Sequence, residues 1–160
     1  MEKVSGNNFD KGFAQWQDYQ QAPWGKLRYR VAQANLLRHL PPAPAKILDL
    51  GGGNGLDSLP LLKLGYTAVL IDFSPEMVAQ GQKLAAQEQV SDQISFEVGD
   101  ATQFVAGEQF DIILCHNLLQ YVGDVTAVLQ NIYHSLRPGG IFSFIITNPH
   151  TETLAYALRD

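Results

Sequence analysis

The stretch Ile47-Leu48-Asp49-Leu50-Gly51-Gly52-Gly53-Asn54-Gly55 constrains this chain more than any other, because an aliphatic run ends in an acid and passes into four glycines within five positions. A strand over Lys46 to Leu50 followed by residues without side chains lets backbone turn tightly and meet a ligand directly. Asp49 is then left beside that ligand. A turn of this kind can carry a dinucleotide, a triphosphate or a nucleoside with no phosphate. The dinucleotide fingerprint needs Gly-x-Gly-x-x-Gly or Ala, but the third position is Leu56 counted from Gly51 and Ser58 counted from Gly53. A triphosphate loop ends in Gly-Lys-Ser or Gly-Lys-Thr, whereas Gly55 is followed by Leu56 and Asp57. Asp49 and Asp57 would also repel a polyphosphate.

Downstream, strand and helix patterns alternate in the order a βαβ series requires, which predicts a doubly wound α/β sheet in three layers. Thr67 to Ile71 is an apolar strand ending at Asp72, and a carboxylate there can accept hydrogen bonds from both hydroxyls of an adenosine ribose. Ser74-Pro75-Glu76-Met77 reads as a helix start, with Ser74 as N-cap, Pro75 at the first helical position and Glu76 in the first turn. Ile94 to Val98 alternates as a third strand and runs into Gly99-Asp100-Ala101. Phe110 to Cys115 is nearly continuously apolar, as a strand buried on both faces must be. It delivers His116, Asn117, Gln120 and Tyr121 beyond its carboxyl end, the edge where open α/β sheets bind ligands. Leu136-Arg137-Pro138-Gly139-Gly140 predicts a turn into a fifth strand over Ile141 to Ile146.

The run Asp49-x-Gly51-x-Gly53-x-Gly55 and the Leu136-x-Pro138-Gly139-Gly140 turn resemble the class I methyltransferases that use S-adenosylmethionine, over residues 46 to 147. The resemblance implies a Rossmann-like sheet and a cofactor site built from Asp49, Gly51, Gly52, Gly53, Asn54, Gly55, Asp72, Phe73, Met77, Asp100 and Ala101. Phe73 and Met77 would flank the adenine, although core packing is the alternative for both. Asp100 would accept from the adenine amino group. The N-terminal pattern Phe9-Asp10, the aromatics around Trp16 and Tyr19, and Gly25-x-x-Arg28 are similar to the bacterial tRNA carboxymethoxyuridine methyltransferases. That likeness continues through Phe110-Asp111, Cys115-His116-Asn117 and Asn148-Pro149-His150. It implies that Arg28 meets the cofactor carboxylate and that His116 lies against the cofactor. Asn54 departs from the acidic residue common in that family, and Tyr121 from its frequent Trp. The chain runs little beyond the fifth strand, so the resemblance implies a sheet truncated before the sixth and seventh strands that help to build the acceptor site.

With 160 residues, 46% hydrophobic and 17% charged, the chain predicts one domain, 46–160, preceded by a helical arm or lid, 1–45, across the linker-like Pro41-Pro42-Ala43-Pro44. No run reaches the length of a membrane span and no signal-peptide block is present, which predicts a cytoplasmic protein that engages no membrane. The single Cys115 reads as buried structure, and the four histidines have no ligand spacing, so no metal is expected. Residues 1–46 hold seven basic and three acidic side chains, while residues 47–160 hold four and thirteen. The arm is a basic cover on an acidic body. Lys26, Arg28 and Arg30 cluster where Leu27, Val31, Ala34 and Leu37 are spaced for one face of a helix. Gly6, Gly12 and Gly25 would be its flexible points, and Thr151 to Arg159 would begin another helix.

The implied reaction is in-line displacement at the methyl carbon of S-adenosylmethionine, leaving S-adenosylhomocysteine, in which positioning supplies most of the acceleration. A carboxylate acceptor needs no base, whereas an amine, hydroxyl or carbon acceptor would use His116 or Tyr121 for the proton. The acceptor would be a modified tRNA nucleoside, reached along Lys11, Lys26, Arg30 and Arg38, or a small metabolite. A cofactor-binding module without activity and a nicotinamide-dependent oxidoreductase are the readings from other classes.

Overall fold

The structure, a computed structural model, describes residues 18–146. Its elements run α1 (Pro23–Leu36), β1 (Lys46–Leu50), α2 (Leu59–Leu62), β2 (Thr67–Asp72), α3 (Pro75–Gln87), a 3-10 turn (Ser91–Gln93), β3 (Ile94–Val98), β4 (Phe110–His116), α4 (Val125–Ser135) and β5 (Leu136–Ile145). All five strands are parallel, in the order β3-β2-β1-β4-β5. The winding therefore reverses between β1 and β4, where a crevice opens at the carboxyl ends.

Register explains which side chains meet there. Asp49 of β1 lies opposite Leu70 of β2 and Leu114 of β4. Because side chains alternate along a strand, Asp72 and His116, two residues beyond those partners, return to the same face of the sheet. On that face Ile47, Leu70, Ile112 and Leu114 pack against Leu61, Leu62 and Ala85. On the other, Leu48, Leu50, Ile113 and Cys115 pack against Val128 and Ile132 of α4. This is the three-layer arrangement expected. Cys115 and His116 diverge to opposite faces as strand neighbours should, and burial, with the charge of Asp49 adding to it, pushes the Cys115 thiol up to about 12.

The helix starts follow local chemistry. Ser74 Oγ accepts from Met77 N–H at 3.3 Å, with Pro75 in the first turn of α3. Asp124 caps α4 in the same way, accepting from Ala127 N–H at 2.9 Å, a contribution of about 1 kcal/mol.

Three expectations change. The turn at Leu136 to Gly140 is drawn into β5: Leu136 pairs with Phe110 and Ile141 with Ile112, so five residues advance against two and the excess is accommodated as a bulge. The apolar stripe of α1 faces outward, with Leu27 60%, Val31 59% and Leu37 45% exposed. The helix instead buries Gly25 and Leu36 and turns Arg28 and Tyr29 inward, because what it covers is a polar crevice. Gly25 is no flexible point either. A Cβ there would stand 2.0 Å from the Tyr19 carbonyl oxygen, so its missing side chain lets α1 pack against the preceding segment. Gly6, Gly12, Lys11 and the segment 147–160 lie outside the described residues.

Candidate active site

At the carboxyl edge of the sheet lies a cavity of about 1000 Å³, roofed by α1 and floored by the glycine loop. That is the upper end of the range for small-molecule sites, roughly 300–1,000 Å³. Gly51 and Gly53 hold left-handed backbone, φ 68° and 57°, which bends the chain back after β1. Gly52 serves a different end. A Cβ on it would fall 2.5 Å from Cγ of Asp49, so the bare backbone is what lets the loop settle over that carboxylate.

Asp49 is buried to 1% exposure and its Oδ2 has no hydrogen-bond partner. Burial first, and then the charge of Asp57, raise its pKa to about 7, with the Ser58 hydroxyl working against them. Asp72 is better served. Its Oδ2 accepts from Gly53 N–H and its Oδ1 from Ser74 N–H, each at 2.9 Å, so its carboxylate braces the loop and the start of α3 together. Burial raises its pKa, and those two N–H groups oppose the rise. Asp100 Oδ1 accepts from the backbone and hydroxyl of Thr102, both at 2.8 Å, which leaves Oδ2 for a ligand donor. Phe73, at 37% exposure, and Met77, fully buried, both line the cavity.

Arg28 reaches in from α1. Its Nη1 donates to Asp57 Oδ2 at 3.0 Å, its guanidinium carbon lies 4.2 Å from the centroid of Tyr29, and its Nε is buried without a partner. His116 Nε2 is 3.0 Å from Ser143 Oγ, and its Nδ1 stands 3.3 Å from Asp57 Oδ1, within ion-pair range but off hydrogen-bond line. Both ring nitrogens thus face protein groups. Tyr121 is half exposed at the mouth of the cavity.

Of the residues expected from sequence to bind a cofactor, the cavity brings together Arg28, Asp49, Gly51, Gly52, Gly53, Asp72, Phe73, Met77, Asp100, Ala101 and His116, with Tyr121 at its rim. Asn54 and Gly55 do not line it. The Asn54 amide is buried and exchanges hydrogen bonds with Gln20, 3.3 Å in each direction, and Gly55 turns beneath the loop against Leu59 and Leu70. Asn54 thereby ties the loop to the segment before α1, where Gln20 also donates to the Tyr29 hydroxyl at 2.9 Å. Sequence reasoning missed Tyr29, Asp124 and, above all, Asp57 as residues of the site. Asp57 entered only as a charge that repels polyphosphate, whereas in the structure it is the acid that Arg28 meets.

The lining carries five aspartates, Asp49, Asp57, Asp72, Asp100 and Asp124, against one arginine, Arg28. Such a site disfavours phosphates and favours a ligand with positive charge and one carboxylate. The methionyl end of S-adenosylmethionine has that character. The unpaired Asp49 oxygen and Arg28 Nε are the two buried atoms with most to gain from it. Among the described residues no cluster suited to a metal ion occurs, and no helix is long and apolar enough to cross a membrane.

Residues 47–140 match the family described as Methyltransferase domain. The chain is 33% identical over 132 residues to a tRNA 5-carboxymethoxyuridine methyltransferase of Escherichia coli (strain K12), covering 79% of this chain and 50% of that protein. It is 32% identical over 112 residues to a ubiquinone biosynthesis O-methyltransferase of Paramagnetospirillum magneticum, covering 70% and 44%. The chain thus spans about half the length of these curated relatives. A solved structure of a methyltransferase from Geobacter sulfurreducens in complex with S-adenosyl-L-homocysteine superposes with a TM-score of 0.62 at 28% identity, covering 73% of this chain and 47% of that one. The glycine loop, the acid-tipped strands and the matched family model agree: the chain belongs to the class I S-adenosylmethionine-dependent methyltransferases.

Proposed function

We propose that the protein transfers the methyl group of S-adenosylmethionine to a modified nucleoside of tRNA, with the wobble-uridine carboxylate as the acceptor group. The observation that carries this reading is the outer face of α1. Lys26 and Arg30 are exposed on that helix and Arg38 just past its end, as is Trp24 at 66%, while the inner face of the helix closes the cavity. Residues 47–160 carry nine more acidic than basic side chains, thirteen against four, so a polyanion meets an attractive surface at the arm and repulsion from the body. The 33% identity to a protein named for that tRNA reaction supports the same reading.

In this scheme Asp72 accepts from the ribose hydroxyls, Asp100 from the adenine amino group, and Phe73 packs on the ring. Asp49 and the loop backbone hold the ammonium and Arg28 the carboxylate. When bound, the cofactor supplies a methyl group on a positively charged sulfur. A carboxylate acceptor arrives already ionised, so the chain need only hold it in line, and Tyr121 at the mouth of the cavity is the residue proposed to meet it. His116, with both nitrogens turned to protein, is proposed as a wall of the cofactor site and not as a proton acceptor.

The test is binding of unmodified and carboxymethoxyuridine-bearing tRNA as salt is raised. Affinity that falls steeply with salt and weakens in Lys26→Ala and Arg30→Ala is expected. Binding insensitive to salt and to both changes would refute the tRNA acceptor. A second reading, methylation of an apolar small molecule, draws on the exposed Trp24, Leu27 and Val31 and on the likeness to ubiquinone biosynthesis O-methyltransferases. Turnover of a phenolic substrate without tRNA would favour it.

A further inference from the structure

Asp57 divides its two oxygens between residues from opposite walls of the cavity. Oδ2 accepts from Arg28 Nη1 of α1 at 3.0 Å, and Oδ1 stands 3.3 Å from His116 Nδ1 at the end of β4. Beyond the histidine, Ser143 Oγ of β5 is 3.0 Å from Nε2. One carboxylate therefore joins α1 to the sheet across the mouth of the glycine loop.

The consequence for a ligand follows from the shape of a guanidinium. Its nitrogens form a rigid planar fork, so fixing one of them fixes the direction of the others. With Nη1 held by Asp57 and the plane laid over Tyr29, Nε is buried and has no acceptor in the protein. A buried donor in that state costs free energy that an incoming carboxylate returns. On the histidine side, a negative oxygen beside Nδ1 favours the tautomer that carries its proton there, and Nε2 then accepts from the Ser143 hydroxyl.

We infer that Asp57 is a positioning residue of the cofactor site: it presents the Arg28 fork to the carboxylate of the bound cofactor and sets the tautomer of His116. The first half rests on the proposed reading of the cofactor site. The second concerns the protein alone, so the two can fail separately.

The experiment uses the full chain and two variants. In Asp57→Ala, Arg28 loses its anchor, and affinity for S-adenosylhomocysteine by calorimetry is expected to fall roughly tenfold to a hundredfold. Affinity for adenosine, which has no carboxylate, is expected to stay unchanged. Equal losses for both ligands would mean that Asp57 merely supports the fold of the loop, and would overturn the positioning role. In Asp57→Asn, the negative charge beside Nδ1 is gone, so the ring ¹⁵N shifts of cofactor-free His116 are expected to report movement of the proton from Nδ1 to Nε2. Unchanged shifts would overturn the tautomer half. If the unaltered chain fails to bind S-adenosylhomocysteine, the Arg28 half falls with the cofactor site, and the His116 shifts still decide the remainder.

Discussion

Asp49→Asn tests the electrostatics of the loop most directly. In the native protein Asp49 keeps its proton up to about pH 7, because burial and the nearby Asp57 penalise its charge. In the unfolded chain it gives the proton up near its ordinary value of 3.8. Between these two values the native state binds more protons than the unfolded state, so the contribution of Asp49 to stability declines as pH rises. About three units at 1.36 kcal/mol each make the decline on the order of 4 kcal/mol. Asn cannot titrate, so the variant lacks this slope. Urea unfolding of both proteins from about pH 4 to pH 8 gives the difference curve. Any constant offset from the amide cancels, and Asp72, also raised by burial, titrates in both proteins. The expected difference grows in favour of Asp49→Asn with rising pH and levels off above about pH 7. A flat difference would show that the Asp49 carboxyl is hydrated or paired, and would refute burial beneath the glycine loop as the cause of its raised pKa.

Binding of S-adenosylmethionine brings positive charge to Asp49, so at about pH 6 it should release protons; calorimetry in buffers of different ionisation heat should detect them in the unaltered chain and find fewer in Asp49→Asn, and equal release would contradict this. Gly52→Ala places a Cβ 2.5 Å from the Asp49 carboxyl carbon; cofactor binding should be lost with a fall in thermal stability, and retained binding would show that the loop yields. Cys115, buried and with its thiol pushed up to about 12, should resist alkylation at about pH 8 until the protein is unfolded, and rapid labelling of the native protein, read by mass spectrometry, would count against the packing of the α4 face.

Much of the site was legible because its signals are local. Apolar runs mark the strands whose carboxyl ends carry Asp49 and Asp72, glycine spacing separates one class of nucleotide from another, and Ser74-Pro75 starts a helix wherever it stands. The outward turn of the apolar stripe of α1 was not legible, although the resemblance already turned Arg28 toward the cofactor site. An apolar stripe predicts the buried side of a helix only when the neighbour is an apolar core, and here the neighbour is a cavity lined by aspartates, so Arg28 and Tyr29 go in and Leu27 and Val31 stay out. Gly25 was misjudged for the same reason, since its close contact is with a backbone carbonyl that no periodicity reveals.

The sequence by itself therefore determined the order of chemistry along the chain: which strand ends carry acids, where the backbone is bare, and which cofactor that combination suits. Only the tertiary structure decided how those charges share one space. Asp57 became the partner of Arg28 and His116, residues 29 and 59 positions away, and Asp49 became a carboxyl that holds its proton near neutral pH. Pairing and desolvation depend on distances of a few ångströms between separate elements, and those distances exist only once the sheet has brought the elements together.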